Sequence, residues 1–202
     1  MGLRLDAYVQ MKLHGNKENI VMVPRKYDFV QVTLEPEDYE KVKEVYRLHK
    51  EQANKIFNLA SGVYSDEDIM EVIKNDIENN IILLAIDMET GKYSAAVTFD
   101  NIQMYNGYIV NMGVHIVVCK RYWGPESRKI IFDCYEYLKE NMKPIKRLEA
   151  FVPSNGYGII KLLKDVGFKI EGTLKNRVVY NNKDNVPTLY NELVYSNLNL
   201  GD

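Results

Sequence analysis

The residues best placed to do chemistry form one run, Lys120-Arg121-Tyr122-Trp123-Gly124-Pro125-Glu126-Ser127-Arg128. Pro125 favours the first turn of a helix, where its missing N–H has no intrahelical acceptor to lose and its φ is already helical. Glu126 then complements the positive end of the helix dipole. Unpaired backbone N–H groups at such a helix start, flanked by Lys120, Arg121 and Arg128, suit a phosphate or pyrophosphate. The same run also serves as an ordinary strand-to-helix connection with solvated basic residues, and its own residues leave both readings open. Elsewhere the chemistry-bearing residues are sparse. There are two cysteines, Cys119 and Cys134, which lack both metal-site spacing and a disulfide framework and read as buried free thiols suited to a reducing, cytoplasmic setting. His49 follows Tyr39, Val42, Val45 and Tyr46 at helical spacing and reads as a residue bordering that helix's apolar face.

The elements that must position the run are plain. Before it, Val110, Met112, Val114, Ile116 and Val118 recur with period 2, and the intervening face is also mostly apolar, so residues 108–119 read as a central strand. After it, Ile130, Ile131, Cys134, Tyr135, Tyr137 and Leu138 give a helix its apolar stripe. Upstream, residues 27–34 alternate as a first core strand, Pro36-Glu37-Asp38 opens a helix, and residues 51–59 form a second. Ser65 and Asp68 imitate a capping box for a third helix ending near Asn79. Residues 81–87 and 93–99 form a hairpin, and Asn106-Gly107 turns the chain into the central strand, again antiparallel. Pro144 ends the following helix. Residues 147–152 then make a strand that can lie parallel to the central one, because a helix separates them. Residues 157–166 form the last helix, with Gly167 at its C′ position, and residues 168–170 and 188–196 the closing strands around the polar loop 181–185. This order predicts an α/β (α+β) fold built on a single mixed, mostly antiparallel sheet flanked by helices.

The bounds are those of an ordinary globular domain. A hydrophobic fraction of 46% and a charged fraction of 27% are typical, and 202 residues are enough for one sizeable core. A formal net charge of −2 argues against a nucleic-acid partner, which usually calls for a basic surplus. No apolar run reaches membrane-spanning length, so no membrane partner is expected. Residues 1–26 read as an N-terminal extension and 27–202 as the domain. The extension is suited to the domain's flank or to a second copy in a homodimer.

Read together, this element order, Arg121-Tyr122-Trp123-Gly124 and the stretch RLEAFVPSNGYGIIKLLKDVGFKIEGTLKN resemble the GNAT family of N-acetyltransferases, in particular its ribosomal-protein N-acetyltransferase-like branch. Arg121 and Gly124 match the first four positions of the family's pyrophosphate loop, whereas Glu126 stands where the family has Gly or Ala. Val166-Gly167-Phe168-Lys169-Ile170-Glu171-Gly172 matches the branch closely, and Leu163 stands where many relatives have a tyrosine that protonates the coenzyme thiolate.

The resemblance implies an acetyl-CoA-dependent transfer to an amine acceptor, protein or small molecule, with acetyl-CoA (CoA) held where two central parallel strands splay into a V. It implies that backbone at Val117, Val118 and Cys119 would pair with the pantetheine arm. Amides from Tyr122 through Trp123, Gly124, Pro125 and Glu126 to Ser127 would surround the pyrophosphate, with charge from Arg121 and Arg128. Asn155 and Tyr157 would line the second wall, Asn155 also capping a helix. His115 is the best candidate base, its ordinary pKa being roughly 6.5, although it also fits as a plain strand residue; Asn111, Tyr108, Tyr190 and Tyr195 are nearby polar candidates. Tyr157 could replace the missing helix tyrosine as acid. The alternative is a non-catalytic CoA-binding or protein-interaction module on the same fold.

Overall fold

The computed structural model describes residues 7–9, 22–53, 66–181 and 187–198. β1 (Ala7–Val9) and β2 (Met22–Pro24) pair antiparallel as a two-stranded ribbon of their own. The chain then enters β3 (Tyr27–Gln31), a 3-10 turn at Pro36–Asp38, α1 (Tyr39–Ala53) and α2 (Asp66–Asn79). The antiparallel meander β4 (Ile81–Asp87), β5 (Lys92–Tyr105) and β6 (Tyr108–Val118) follows. A second 3-10 turn, Lys120–Tyr122, leads into α3 (Pro125–Asn141), β7 (Arg147–Pro153), α4 (Tyr157–Asp165), β8 (Lys169–Asn181) and β9 (Pro187–Leu198). The main sheet has seven strands in the order β3-β4-β5-β6-β7-β9-β8, so β6 is central as its two apolar faces require. Its one parallel pair is β6–β7.

The pleat divides the core into two layers. Phe29 meets Tyr137 of α3 with ring centroids 5.5 Å apart, and the register carries that face through Leu83, Val97 and Ile116. Ile130, Cys134 and Leu138 bury α3 against it. Val45 and Leu48 of α1 and Ile73 of α2 are buried on the opposite layer, where α1 lies over β5 and β6 and α2 over β4. Among the described residues no helix is long and apolar enough to cross a membrane.

Several boundaries differ from those the sequence predicts, among them that of β5, which continues past Phe99 to Tyr105. α1 continues unbroken through Glu51 to Ala53, because nothing between His49 and Ala53 interrupts a helix; residues 54–65, including Ser65 of the expected cap, lie outside the described residues. β3 is shorter than predicted, since Thr33 gives its N–H and Oγ1–H to the buried Asp38 carboxylate, each at 2.8 Å, and turns the chain into α1. β8 is far longer than residues 168–170. Its register shifts between Ile170 and Gly172 and between Leu174 and Val178, and Asn176 has φ +49, so the alternation that marks a strand is twice reset. Asn181 ends β8, and 182–185 of the predicted polar loop lie outside the described residues.

Candidate active site

β6 and β7 pair in register only at Met112 with Leu148 and Gly113 with Glu149, with one further parallel bridge between Ile109 and Ile145. Beyond Gly113 they part. On its other edge β6 remains bonded to β5: the Cys119 N–H donates to the Ser94 carbonyl at 2.9 Å. Because antiparallel pairs alternate, Val117 and His115 also face β5, and Val118, Ile116 and Val114 turn their N–H and C=O groups towards β7. The Val118 carbonyl accepts the Trp123 indole N–H at 2.9 Å. Of the three backbone positions inferred from the resemblance, then, Val118 faces the opening, whereas Val117 and Cys119 face β5. This is a parity that the residue types could not reveal.

A cavity of about 410 Å³ fills the opening and reaches both faces of the sheet. Ile131, Cys134 and Leu138 of α3, with Leu163 and Phe168, make one side apolar. Burial pushes the Cys134 thiol well above its ordinary pKa, so it is an inert part of that wall. His49, Asp76, Asn80, Thr98, Asp100 and His115 make the other side polar.

The loop at the end of β6 is held by its own side chains. Gly124 is the N-cap of α3 with φ +83 and ψ −129, and a Cβ there would meet nothing within 4 Å, so conformation alone calls for glycine. The N–H groups of Glu126 and Ser127, in the first turn, have no intrahelical acceptor. Ser127 Oγ–H donates to the Tyr122 carbonyl at 2.9 Å, and Tyr122 O–H to Asp87 at 3.1 Å. The Glu126 carboxylate turns away to β3, where it accepts from Tyr27 O–H and from Lys26 Nζ at 2.9 Å. Those bonds, Tyr27 foremost, hold Glu126 below the usual carboxylate range, while burial and Glu126 raise the Tyr27 phenol. Arg121 lies over the Tyr122 ring at 4.7 Å, and Arg128 pairs with Asp165 at 3.4 Å. Trp123 is exposed, as is Lys120.

The polar side is shaped by a bulge. The β5–β6 register passes from Asp100–Gly113 to Gln103–Asn111, leaving an extra residue on β5 where Asn101 adopts φ +48. Asp100 is thereby laid across Gly113, where a Cβ would stand 1.9 Å from Asp100 Oδ1. Asp100 Oδ2 is 3.1 Å from His115 Nε2, and Oδ1 is buried with no hydrogen-bond partner among the described residues. His115 is 51% exposed at its side chain. On the same polar side, His49 Nδ1 is 2.9 Å from the Val45 carbonyl oxygen, and burial holds its imidazole below the ordinary histidine pKa. Burial raises the carboxyl of Asp76, to which Asn80 Nδ2–H donates at 3.3 Å. Asn111 donates to Glu149 at 3.0 Å, and Arg147 joins Glu149 to Glu171 below.

The structure thus brings His115 to the cavity, and with it three groups the sequence reading passed over or placed elsewhere: His49, Asp76 and Asp100. His49 carried a signal, since it continues the Val42–Val45 face, but only the fold shows what that face meets. Asn155 does not cap α4. The N-cap is Gly156, whose N–H bonds the Pro153 carbonyl at 2.8 Å, in a turn where a Cβ would lie 3.1 Å from that oxygen. Asn155 is exposed, Tyr157 is 78% exposed, and neither lines the cavity.

No family model and no curated protein matches the chain. Solved structures do. The chain is similar to a ribosomal-protein-S5-alanine acetyltransferase from Vibrio fischeri at 13% identity, covering 86% of this chain and 93% of that one with a TM-score of 0.63. It is similar to a spermidine N-acetyltransferase from Vibrio cholerae, solved with CoA and spermine, at 14% identity over 86% and 96% of the two chains, TM-score 0.63. A GNAT-family acetyltransferase from Bacillus anthracis gives 14% identity over 84% and 94%, TM-score 0.60. At these identities the likeness establishes the fold: a mixed seven-stranded sheet flanked by helices, as in GNAT acetyltransferases.

Proposed function

We propose that this chain is an acetyl-CoA-dependent N-acetyltransferase that acetylates a primary amine (a protein N-terminus, a lysine or a small amine) by direct attack in a ternary complex. The observation that carries this reading is the parting of β6 and β7 after a two-residue pairing, with a cavity open to both faces of the sheet at that point. The backbone groups of Val114 and Ile116, turned into the gap, suit an extended amide-bearing arm that adds itself as a strand. The amides of Gly124, Glu126 and Ser127 at the start of α3 suit a pyrophosphate beside Arg121 and Lys120. Glu126 does not oppose that charge, because Lys26 and Tyr27 hold its carboxylate on β3. Arg128 contributes at longer range, being paired with Asp165. Solved structures of the same fold include one with CoA and spermine, which supports the cofactor class.

The thioester supplies an activated acetyl group. The residues of this chain supply the rest. An acceptor reaching the gap from the α1–α2 side meets Asp76 and Asp100, carboxylates that attract a cationic amine. His115, oriented by Asp100, accepts protons and, being half exposed, returns them to solvent. Tyr157, outside the cavity wall at the head of α4, is the phenol available to a leaving thiolate once the arm spans the gap. Two buried thiols suit a reducing, cytoplasmic compartment.

The test is calorimetric titration of the full chain with acetyl-CoA, followed by mass spectrometry of the same sample with an amine panel. Binding with a Kd of about 1–100 μM, at or below common KM values, and acetylated product are expected. Binding without product from any amine would favour a CoA-binding module. No binding would overturn the reading.

A further inference from the structure

The cavity holds two imidazoles, and only one has its ring polarity fixed by the backbone. His49 Nδ1 lies 2.9 Å from the Val45 carbonyl oxygen. A carbonyl has no hydrogen to give, so Nδ1 carries it, and in the neutral ring the lone pair is on Nε2. His49 sits on the cavity wall, which it shares with Asp76 from α2, Asp100 from β5 and His115 from β6. Its charge is favoured by Asp76 and opposed by His115. His115 is the more exposed of the pair and already bonded through Nε2 to Asp100. These side chains do not gather as metal ligands do, so the chamber offers hydrogen-bond acceptors and a proton sink rather than an ion cage.

We propose that His49 Nε2 is the primary proton acceptor for the substrate ammonium, and that the Asp100–His115 pair at the exposed side exchanges that proton with solvent. This rests on the acetyltransferase reading above. In the step, one N–H bond of the ammonium breaks, its electron pair becomes the nucleophilic lone pair, and the proton joins Nε2. The Nδ1–H bond to Val45 is kept throughout, so the ring neither flips nor changes its anchor. Asp76 offsets the imidazolium charge while it lasts. No electron transfer or further reactant is required. Division of labour follows from exposure: a base shielded from water takes its proton from the substrate, and a half-exposed one trades with the bulk. Because burial lowers the pKa of His49, its basic form predominates above the ordinary histidine value and is lost only as pH falls below it.

The experiment uses the full chain, with whichever of spermidine, Nα-acetyl-lysine or an alanine-initiated peptide turns over fastest. His49→Gln keeps an acceptor oxygen near the Nε2 position but cannot take the proton. Its acetyl-CoA affinity should stay within about twofold of the parent, and its kcat should fall by about 100-fold or more. The acidic limb of kcat against pH, expected below about pH 6.5 in the parent, should disappear. A kcat within threefold of the parent, or an unchanged acidic limb, overturns the proposal while leaving the acetyltransferase reading intact. Failure of the parent to bind acetyl-CoA removes that reading and the proposal with it. Should the variant not fold, nitrogen-15 spectra of the parent with the His49 ring assigned decide: an Nδ1–H ring at His49 titrating below about pH 6.5 and shifting at Nε2 when the amine is added supports it. An Nε2–H ring at His49, or its titration above that value, sinks it.

Discussion

A methyl group at Gly113 would occupy the space that Asp100 Oδ1 fills, since the two would stand 1.9 Å apart. The glycine is therefore what allows a carboxylate to lie flat across the central strand and reach His115. Gly113→Ala must push Asp100 off this position, and overpacking of that kind costs about 1–3 kcal/mol. We expect a lower melting temperature, an acetyl-CoA affinity within about twofold of the parent because the α3 loop lies elsewhere, and turnover reduced about tenfold or more as His115 loses its carboxylate. Steady-state kinetics with matched calorimetry check this; equal turnover in parent and variant would mean that the Asp100–His115 pair has no part in the chemistry. His115 could be picked out from the chain because histidine in a strand is conspicuous. Asp100 could not: its role depends on one extra residue at Asn101, which breaks the alternation after Phe99 and re-aims the carboxylate.

At the level of elements, α3 is stapled to the edge strand β3 by two carboxylates on its inner side. Asp133, fully buried, accepts the N–H groups of Lys26 and Tyr27 at 3.0 Å each and pairs with Lys129 at 2.5 Å; Glu126 takes the side chains of the same two residues at the entry to β3. Asp133→Ala would strand the buried Tyr27 N–H and the partly buried Lys26 N–H and remove the ion pair of Lys129 with a buried carboxylate. The expected loss is about 3–5 kcal/mol, read as a lower urea midpoint with an unchanged slope. A shift under about 1 kcal/mol would show that β3 is held by its pairing with β4 alone. The elements themselves were largely legible: a hairpin pattern marked β4 and the start of β5, a period-2 apolar run marked β6, Asn106-Gly107 marked the turn between β5 and β6, and Pro125 marked the first turn of α3. What joins them was not, because Asp133 and Lys26 are over a hundred positions apart (|i−j| of 107) and nothing local couples them. The length of β8 was hidden for a different reason, its bulges having twice reset the pattern that a strand shows.

Across the whole molecule, the sheet is continuous in topology but weak at its centre. The strands β3 to β6 on one side and β7, β9 and β8 on the other meet through the short β6–β7 pairing, the contact of α3 with α4 and the Arg128–Asp165 pair. Parallel pairing that stops after two residues leaves the backbone of Val114 and Ile116 without a strand partner on the β7 side. A ligand supplying that missing strand, as acetyl-CoA does on the proposed reading, would stabilise the join more than either flank. At a concentration of 100 times its Kd, binding adds about 2.7 kcal/mol, which for a domain of this size raises the melting temperature by about 5–10 °C. The distribution of the effect is the sharper test. Amide hydrogen exchange should slow most at residues 114–118 and 150–153 and at the start of α3, and least in β3 and β4. Slowing spread evenly over the sheet, or confined to β8 and β9, would place the ligand away from the parted strands and withdraw the cavity from the mechanism.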